Sequence, residues 1–212
     1  PRAACECPIQ GFGGAMPAPD DPGREPQKVG VAVSDIFTGL YSVIAIQAAL
    51  RHAEKTGEGQ YIDMALLDTQ CSILGNQNLN YLVAGKSPVQ MGNAHMNIAP
   101  YEVLPVKDGH IILAVGNDGQ FGKFCAAVGL DDLPSNPDFA TNPARVANRA
   151  RLRERIIEAL KGIERDPLLA KLEAASVPAS PINTIGQMFD DPQTIARGMR
   201  LDLDDGKGNS LP

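Results

Sequence analysis

The chain has 212 residues, a formal net charge of −6, 43% apolar and 21% charged residues. This is a soluble globular composition with material for one large domain or two small ones. The acidic balance gives no basic stripe to neutralise phosphates, which excludes nucleic acid as the expected partner, and leaves room for a small anionic ligand at a local site.

Residues 1–30 are punctuated by Gly11, Gly13, Gly14, Pro17, Pro19, Pro22, Gly23 and Pro26, so a loop-rich segment is expected. Ser34 is the expected N-cap of a helix from Asp35 to about Lys55, with Asp35 in the first turn and Gly57 as the stop. That helix is apolar on nearly all sides and should be enclosed by other elements. Its apolar run Ile36–Leu50 is broken by Thr38, Ser42 and Gln47 and falls short of the ~20 residues a membrane span needs. A short strand over Tyr61–Leu66 and a single helix from Leu67 to Ala84, carrying Asn76, Gln77, Asn78 and Asn80, complete a first α/β unit.

After Pro88 the pattern predicts a hairpin, Tyr101–Val106 and His110–Val115 around the Lys107-Asp108-Gly109 turn. Helices are expected over Gln120–Val128, Asn148–Leu160 and Pro167–Ala175, followed by an extended Val177–Pro181 and short helices near Ile185–Phe189 and Pro192–Arg197. Arg145, Arg149, Arg151, Arg153 and Arg155 are expected on a solvated face, paired with Glu154 and Glu158. The domains expected are therefore 1–84 and 88–175, with 176–212 returning to the first.

Four cysteines, Cys5, Cys7, Cys71 and Cys125, make neither a zinc ribbon nor a dense disulfide framework, so reduced thiols in a cytoplasmic protein are expected, with no signal peptide. His52 and His110 have no cysteine or carboxylate at ligand spacing, and no metal site is expected.

Four stretches, in order, resemble the family III CoA-transferases: Val29–Asp68, GNAHMNIAPY (Gly92–Tyr101), DGHIILAVGNDGQF (Asp108–Phe121) and SVPASPINTI (Ser176–Ile185). Within that family the likeness is to the branch that uses dicarboxylic acids such as succinate. The resemblance implies an α/β fold, with part of a Rossmann-like large domain plus a small α+β domain. It implies an interlocked homodimer, no bound cofactor, acyl-CoA and a small carboxylic acid as substrates, and no membrane. Family members are longer chains whose first half holds most of the coenzyme A contacts; that half has no counterpart here, so a fragment cut at both ends is expected.

In the family an aspartate carboxylate attacks the acyl-CoA thioester, a few residues before a Gln-Gly-x-Gly-Gly element. Gln10-Gly11-Phe12-Gly13-Gly14 matches that element, which puts Glu6, flanked by Cys5 and Cys7, at the nucleophile's position. Glutamate adds a methylene, a displacement larger than the ~1 Å that can cost about 100-fold in rate. The loop Gly92, Asn93, Ala94 and His95 matches the family's substrate loop. There His95 is a candidate to hydrogen-bond the acid, backbone N–H groups are candidates for an oxyanion site, and loop packing is the plain alternative. Asp118 is a candidate acid/base group or a turn former. Two rival readings stand beside transfer: an acyl-CoA racemase on the same fold, and a truncated, non-catalytic chain whose bare apolar helix invites association.

Overall fold

The computed structural model describes residues 5–16, 25–89, 91–204, 206–207 and 210–211. The chain divides into two compact units, Pro1–Gln90 and Met91–Pro212.

The first unit is helical: α1 (Glu6–Phe12), α2 (Val33–Thr56), α3 (Leu66–Ile73) and α4 (Asn76–Ala84). Helix α2 begins one residue before the expected cap; Ser34 lies inside its first turn and is buried. Gly57, in the left-handed conformation, ends it by returning its N–H to the Ala53 carbonyl. Helices α1 and α3 pack on α2.

Three expectations are corrected in this unit. Residues 58–65 run between α2 and α3 without joining a sheet, because a strand exists only by pairing and no other described segment of this unit offers an edge. The single helix expected over 67–84 is two, broken at Gly75 (φ 53°, ψ −119°), a conformation open to glycine and closed to the helix. Helix α2 is not enclosed: Leu40 is 55% and Ile44 63% exposed, with Ile36, Val43 and Leu50 similar. Helix α2 is also long and apolar enough, by length and composition alone, to cross a membrane.

In the second unit β1 (Tyr101–Val106) and β2 (Gly109–Ala114) form the expected hairpin around Lys107-Asp108, with Leu104 opposite Ile111 and Glu102 opposite Leu113. Leu104, Ile111 and Leu113 point inward and are buried. Next come α5 (Asp118–Val128), α6 (Asn142–Ala147), α7 (Arg149–Leu160) and α8 (Arg165–Ala174). Helix α6 was not expected. Its signal is Thr141-Asn142-Pro143: the Thr141 hydroxyl accepts from Ala144 N, and proline sits in the first turn.

The third strand, β3 (Ala179–Pro181), pairs antiparallel with β2, giving the sheet order β1-β2-β3. Segment 176–212, read from sequence as returning to the first unit, is thus grouped with the second from its opening residues. The remaining elements are α9 (Ile185–Asp190), α10 (Pro192–Ala196) and the short pair β4 (Leu203–Asp204) and β5 (Ser210–Leu211).

The hydrophobic core lies in the second unit, between Ala99 and Val177, where Phe121, Phe124, Leu152, Ile156, Leu160 and Leu172 close over one face of the sheet. The arginine face is also corrected. Arg145 is fully buried, and the ion-pair partners are Asp118, Asp138, Glu102 and Asp132, drawn from distant elements instead of Glu154 and Glu158.

Candidate active site

Glu6 is the first residue of α1, and its half-buried carboxylate meets the N-terminus of α2. Oε2 accepts the Asp35 N–H at 2.9 Å; Oε1 accepts the Ser34 N–H at 3.2 Å and the Gln10 Nε2–H at 2.5 Å. Two of the N–H groups that α2 leaves without helical partners are thereby satisfied by a carboxylate from another helix, at the positive end of the helix dipole. Burial alone would raise the pKa of Glu6. The hydrogen bonds from Gln10, Asp35 and Ser34 favour the charged form and outweigh it, so the net shift is downward and Glu6 is ionised at neutral pH.

The surroundings are built to hold that carboxylate. Gln10, one helical turn on, is fully buried and its Oε1 takes the Val29 N–H at 2.8 Å. The Ser34 hydroxyl lies 2.6 Å from Gln70 Oε1 and 3.3 Å from Glu6 Oε1; with a single hydrogen, it serves the shorter contact. Gln70 and Ser34 are both buried. Gly13 closes the cluster from below. A Cβ there would stand 2.5 Å from Gln70 Cγ and 2.9 Å from the Ile9 carbonyl oxygen, so the second glycine of the Gln-Gly-Phe-Gly-Gly element is set by close approach. The sequence marks Glu6 and Gln10 through that element, but carries no local sign of Ser34 and Gln70 as its neighbours.

In the second unit Gly92 takes φ 61°, and Gly92 and Asn93 are exposed while Ala94 and His95 are half-buried. His95 is held on every side. Its N–H donates to the Tyr101 carbonyl at 2.9 Å, its ring stacks parallel on Tyr101 with centroids 5.2 Å apart, and Nδ1 accepts the Asn97 N–H at 3.1 Å. The loop backbone is clamped by α6 and α7: Asn142 bonds Asn97 O and Ala99 N, Arg145 bonds Ala99 O, and Arg149 bonds the carbonyls of His95 and Met96. None of these clamps was singled out from sequence.

Asp118 opens α5, whose N-cap is the neighbouring Asn117. Its Oδ1 accepts from Arg145 Nη2 at 2.7 Å, and Arg145 also donates to Phe139 O and lies over the Phe121 ring at 4.4 Å. The Asp118 carboxylate thus neutralises a fully buried guanidinium that braces the loop from below. Cys125 is buried nearby, and burial pushes its thiol up to about 12, whereas Cys5, Cys7 and Cys71 are exposed; all four are free thiols.

A family model described as CoA-transferase family III matches residues 1–212. The chain is 54% identical over 205 residues to a succinate–glutarate CoA-transferase of Agrobacterium fabrum, covering 96% of this chain and 51% of that protein. It is 36% identical over 195 residues to a succinyl-CoA:mesaconate CoA-transferase of Haloarcula hispanica, covering 92% of this chain and 48% of the other. Among solved structures, a CAIB/BAIF family protein from Brucella suis superposes with a TM-score of 0.76 at 57% identity, over 95% of this chain and 53% of that one. The chain spans about half the length of the curated relatives it matches.

Proposed function

Because the chain belongs to CoA-transferase family III, we propose that the protein moves coenzyme A from an acyl-CoA to a carboxylic acid through a covalent intermediate on Glu6. The relatives' names support succinyl-CoA as donor and a short dicarboxylate as acceptor. The observation that carries the proposal is the state of Glu6: ionised, fixed in position, and unequally engaged. Oε1 faces Gln10 and Ser34, while Oε2 takes one backbone N–H and keeps lone pairs for a new bond.

In the proposed sequence, Oε2 attacks the thioester carbonyl carbon and CoA leaves as the thiolate, giving a mixed anhydride. The thiolate then attacks Cδ of Glu6 and displaces the first acid as its carboxylate, leaving a glutamyl–CoA thioester. The incoming carboxylate attacks that Cδ and releases CoA thiolate. Attack of the thiolate on the new acyl carbon forms the product thioester and restores the Glu6 carboxylate. Splitting the exchange this way replaces one unfavourable step by several easier ones. The hydrogen bonds from Gln10, Ser34 and Asp35 hold the carboxylate in one orientation and lower the cost of reaching the reacting geometry. The Gly92–His95 loop is proposed as a substrate-binding loop of the second unit.

The test is incubation of the protein with succinyl-CoA, followed by mass spectrometry of the peptide bearing Glu6 and chromatography of acyl-CoA formed with a second acid. A CoA adduct on Glu6, removed by hydroxylamine and absent from Glu6→Gln, is the expected result. Exchange that persists in Glu6→Gln would sink the assignment. The same hydrogen bonds favour one second reading, in which Glu6 only caps α2; it predicts no adduct and no exchange, with a loss of stability in Glu6→Gln.

We further propose an interlocked homodimer in the cytoplasm. The bare apolar residues of α2 and those of α4, Leu79, Leu82 and Val83, support a protein interface for these helices. The bond between the hydroxyls of Tyr41 and Ser72 and the polar breaks at Thr38, Ser42 and Gln47 support protein over lipid around α2. Free exposed thiols support a reducing compartment.

A further inference from the structure

Glu6 has more buried polar groups around it than bond to it. Among the described residues of the first unit Gln10, Ser34, Thr69 and Gln70 are buried. Gln10 is spent on Glu6 and on the Val29 N–H. Gln70, on α3, reaches the carboxylate through Ser34: its Oε1 lies 2.6 Å from the Ser34 hydroxyl, and that hydroxyl lies 3.3 Å from Glu6 Oε1.

These two lengths place the hydrogen. A hydroxyl donates to a carbonyl oxygen at about 2.7–2.8 Å and to a carboxylate at about 2.5–2.7 Å, whereas an amide N–H donates at about 2.9–3.0 Å. At 2.6 Å the atom facing Ser34 is the amide oxygen of Gln70, and the hydroxyl donates to it. At 3.3 Å the Glu6 oxygen is beyond the reach of a hydroxyl–carboxylate bond. Ser34 therefore turns a lone pair toward Glu6 Oε1, while its N–H donates to that same oxygen. Gln70 is held in place from α1. The room a Cβ would need at Gly13 is filled by the Gln70 stem, with Cγ 2.5 Å and Cβ 3.3 Å from that point.

We propose that Gln70 is a positioning residue for the covalent step: by taking the one hydrogen of the Ser34 hydroxyl, it keeps a further donor off the Glu6 carboxylate. The inference rests on the transferase reading of Glu6. A hydroxyl donating to Oε1 would draw charge from both oxygens, because a carboxylate shares its charge between them. During attack that charge passes to the thioester oxygen. A donor on Glu6 thus holds the starting state more tightly than the transition state and slows the step. The donors from Gln10, Ser34 N and Asp35 N orient the nucleophile, and Gln70 stops the next one. Of the titratable groups beside α1, on α3 and in the first turn of α2, Asp35 meets the carboxylate through its N–H. Cys5, Cys7, Asp68 and Cys71 make no hydrogen bond or ion pair with it among the described residues.

The test uses the full chain. Carbon-13 spectra of labelled glutamate carboxyls, assigned with Glu6→Gln, follow the titration of Glu6, beside coenzyme A exchange from succinyl-CoA to a second acid. Ser34→Ala removes the hydroxyl and keeps the N–H, so the Glu6 titration is expected to stay at its wild-type position. A rise would show the hydroxyl donating to Glu6 and overturn the inference. Gln70→Met removes the acceptor at nearly constant volume and frees the hydroxyl to turn to Glu6. It is expected to move the titration further down and to slow exchange about three- to tenfold with little change in KM. Adding Ser34→Ala to Gln70→Met is expected to reverse both effects, which a loss of packing would not do. Thermal melts confirm that each variant is folded, and if Gln70→Met is not, the Ser34→Ala titration decides. A titration unmoved by Gln70→Met, or a slowed exchange that Ser34→Ala fails to restore, overturns the assignment. Exchange at an undiminished rate in Gln70→Met overturns the role of Gln70 alone. Titrations in the expected order in a chain without exchange support the steering of the hydroxyl and overturn the transferase reading.

Discussion

Replacing Glu6 by glutamine removes the charge from the junction of α1 and α2 while keeping the side chain's length. The amide has one acceptor oxygen where the carboxylate had two, and its NH2 must face donors: Gln10 Nε2, Ser34 N or Asp35 N. Loss of a helix N-cap costs about 1 kcal/mol, and a hydrogen bond to a charged group is worth about 1.5–3 kcal/mol, so the variant should lose about 2–3 kcal/mol locally. Hydrogen exchange at the Ser34 and Asp35 amides reads this directly, because a loss of about 2 kcal/mol lowers protection about thirtyfold if these amides open with the first turn of α2. The effect has a pH signature. The folded pKa of Glu6 lies below its ordinary value, so its contribution is fully present above the unfolded glutamate value of ~4.3 and is lost as pH falls through the folded pKa. Wild type and Glu6→Gln should therefore differ at pH 7 and converge only as pH falls through the lowered folded pKa. Equal protection at pH 7, or a difference that persists undiminished into acid, would refute the capping geometry.

Three further outcomes follow from other sites. Arg145→Met should cost about 3–5 kcal/mol, read as a lowered melting temperature, since it leaves the Ala99 and Phe139 carbonyls without their donor and Asp118 without its counter-charge. Gly13→Ala should destabilise the first unit by about 1–3 kcal/mol in urea titration, because the added carbon meets a backbone oxygen as well as Gln70. At pH 8, iodoacetamide followed by peptide mass mapping should label Cys5, Cys7 and Cys71 and spare Cys125 until the chain is unfolded, its thiol being both buried and raised to about 12.

What the sequence makes legible here is local. The Asp108-Gly109 turn and the alternation on either side specify the hairpin and its register within a dozen residues, and α5, α7 and α8 follow from apolar spacing. The strand expected over Tyr61–Leu66 fails because its existence depends on a neighbour that the local pattern cannot supply. The family resemblance carried the reading of Glu6 and of the His95 loop, and it agrees with the family match over the whole chain. Composition and spacing did not reach the partners. Ser34 and Gln70 stand far from Glu6 in sequence, and nothing near them says that a carboxylate will arrive at the start of α2. Arg145 and Arg149 stand on separate helices, α6 and α7, and only the packed structure reveals that both side chains turn onto the 95–99 backbone and not to water.

The position of β3 in the sheet has a consequence for assembly of the chain. Strand β2 acquires its second neighbour only after α5, α6, α7 and α8 have been laid down, since Ile111 waits for Pro181. Until then β2 presents a free edge carrying Ile111, Ile112 and Leu113, a run with high β-propensity and no charge. Such an edge is a template for another chain in the same condition. In the folded chain the three residues of β3 cover that edge, so the sheet's protection from edge-to-edge pairing rests on a segment some seventy residues further along the sequence.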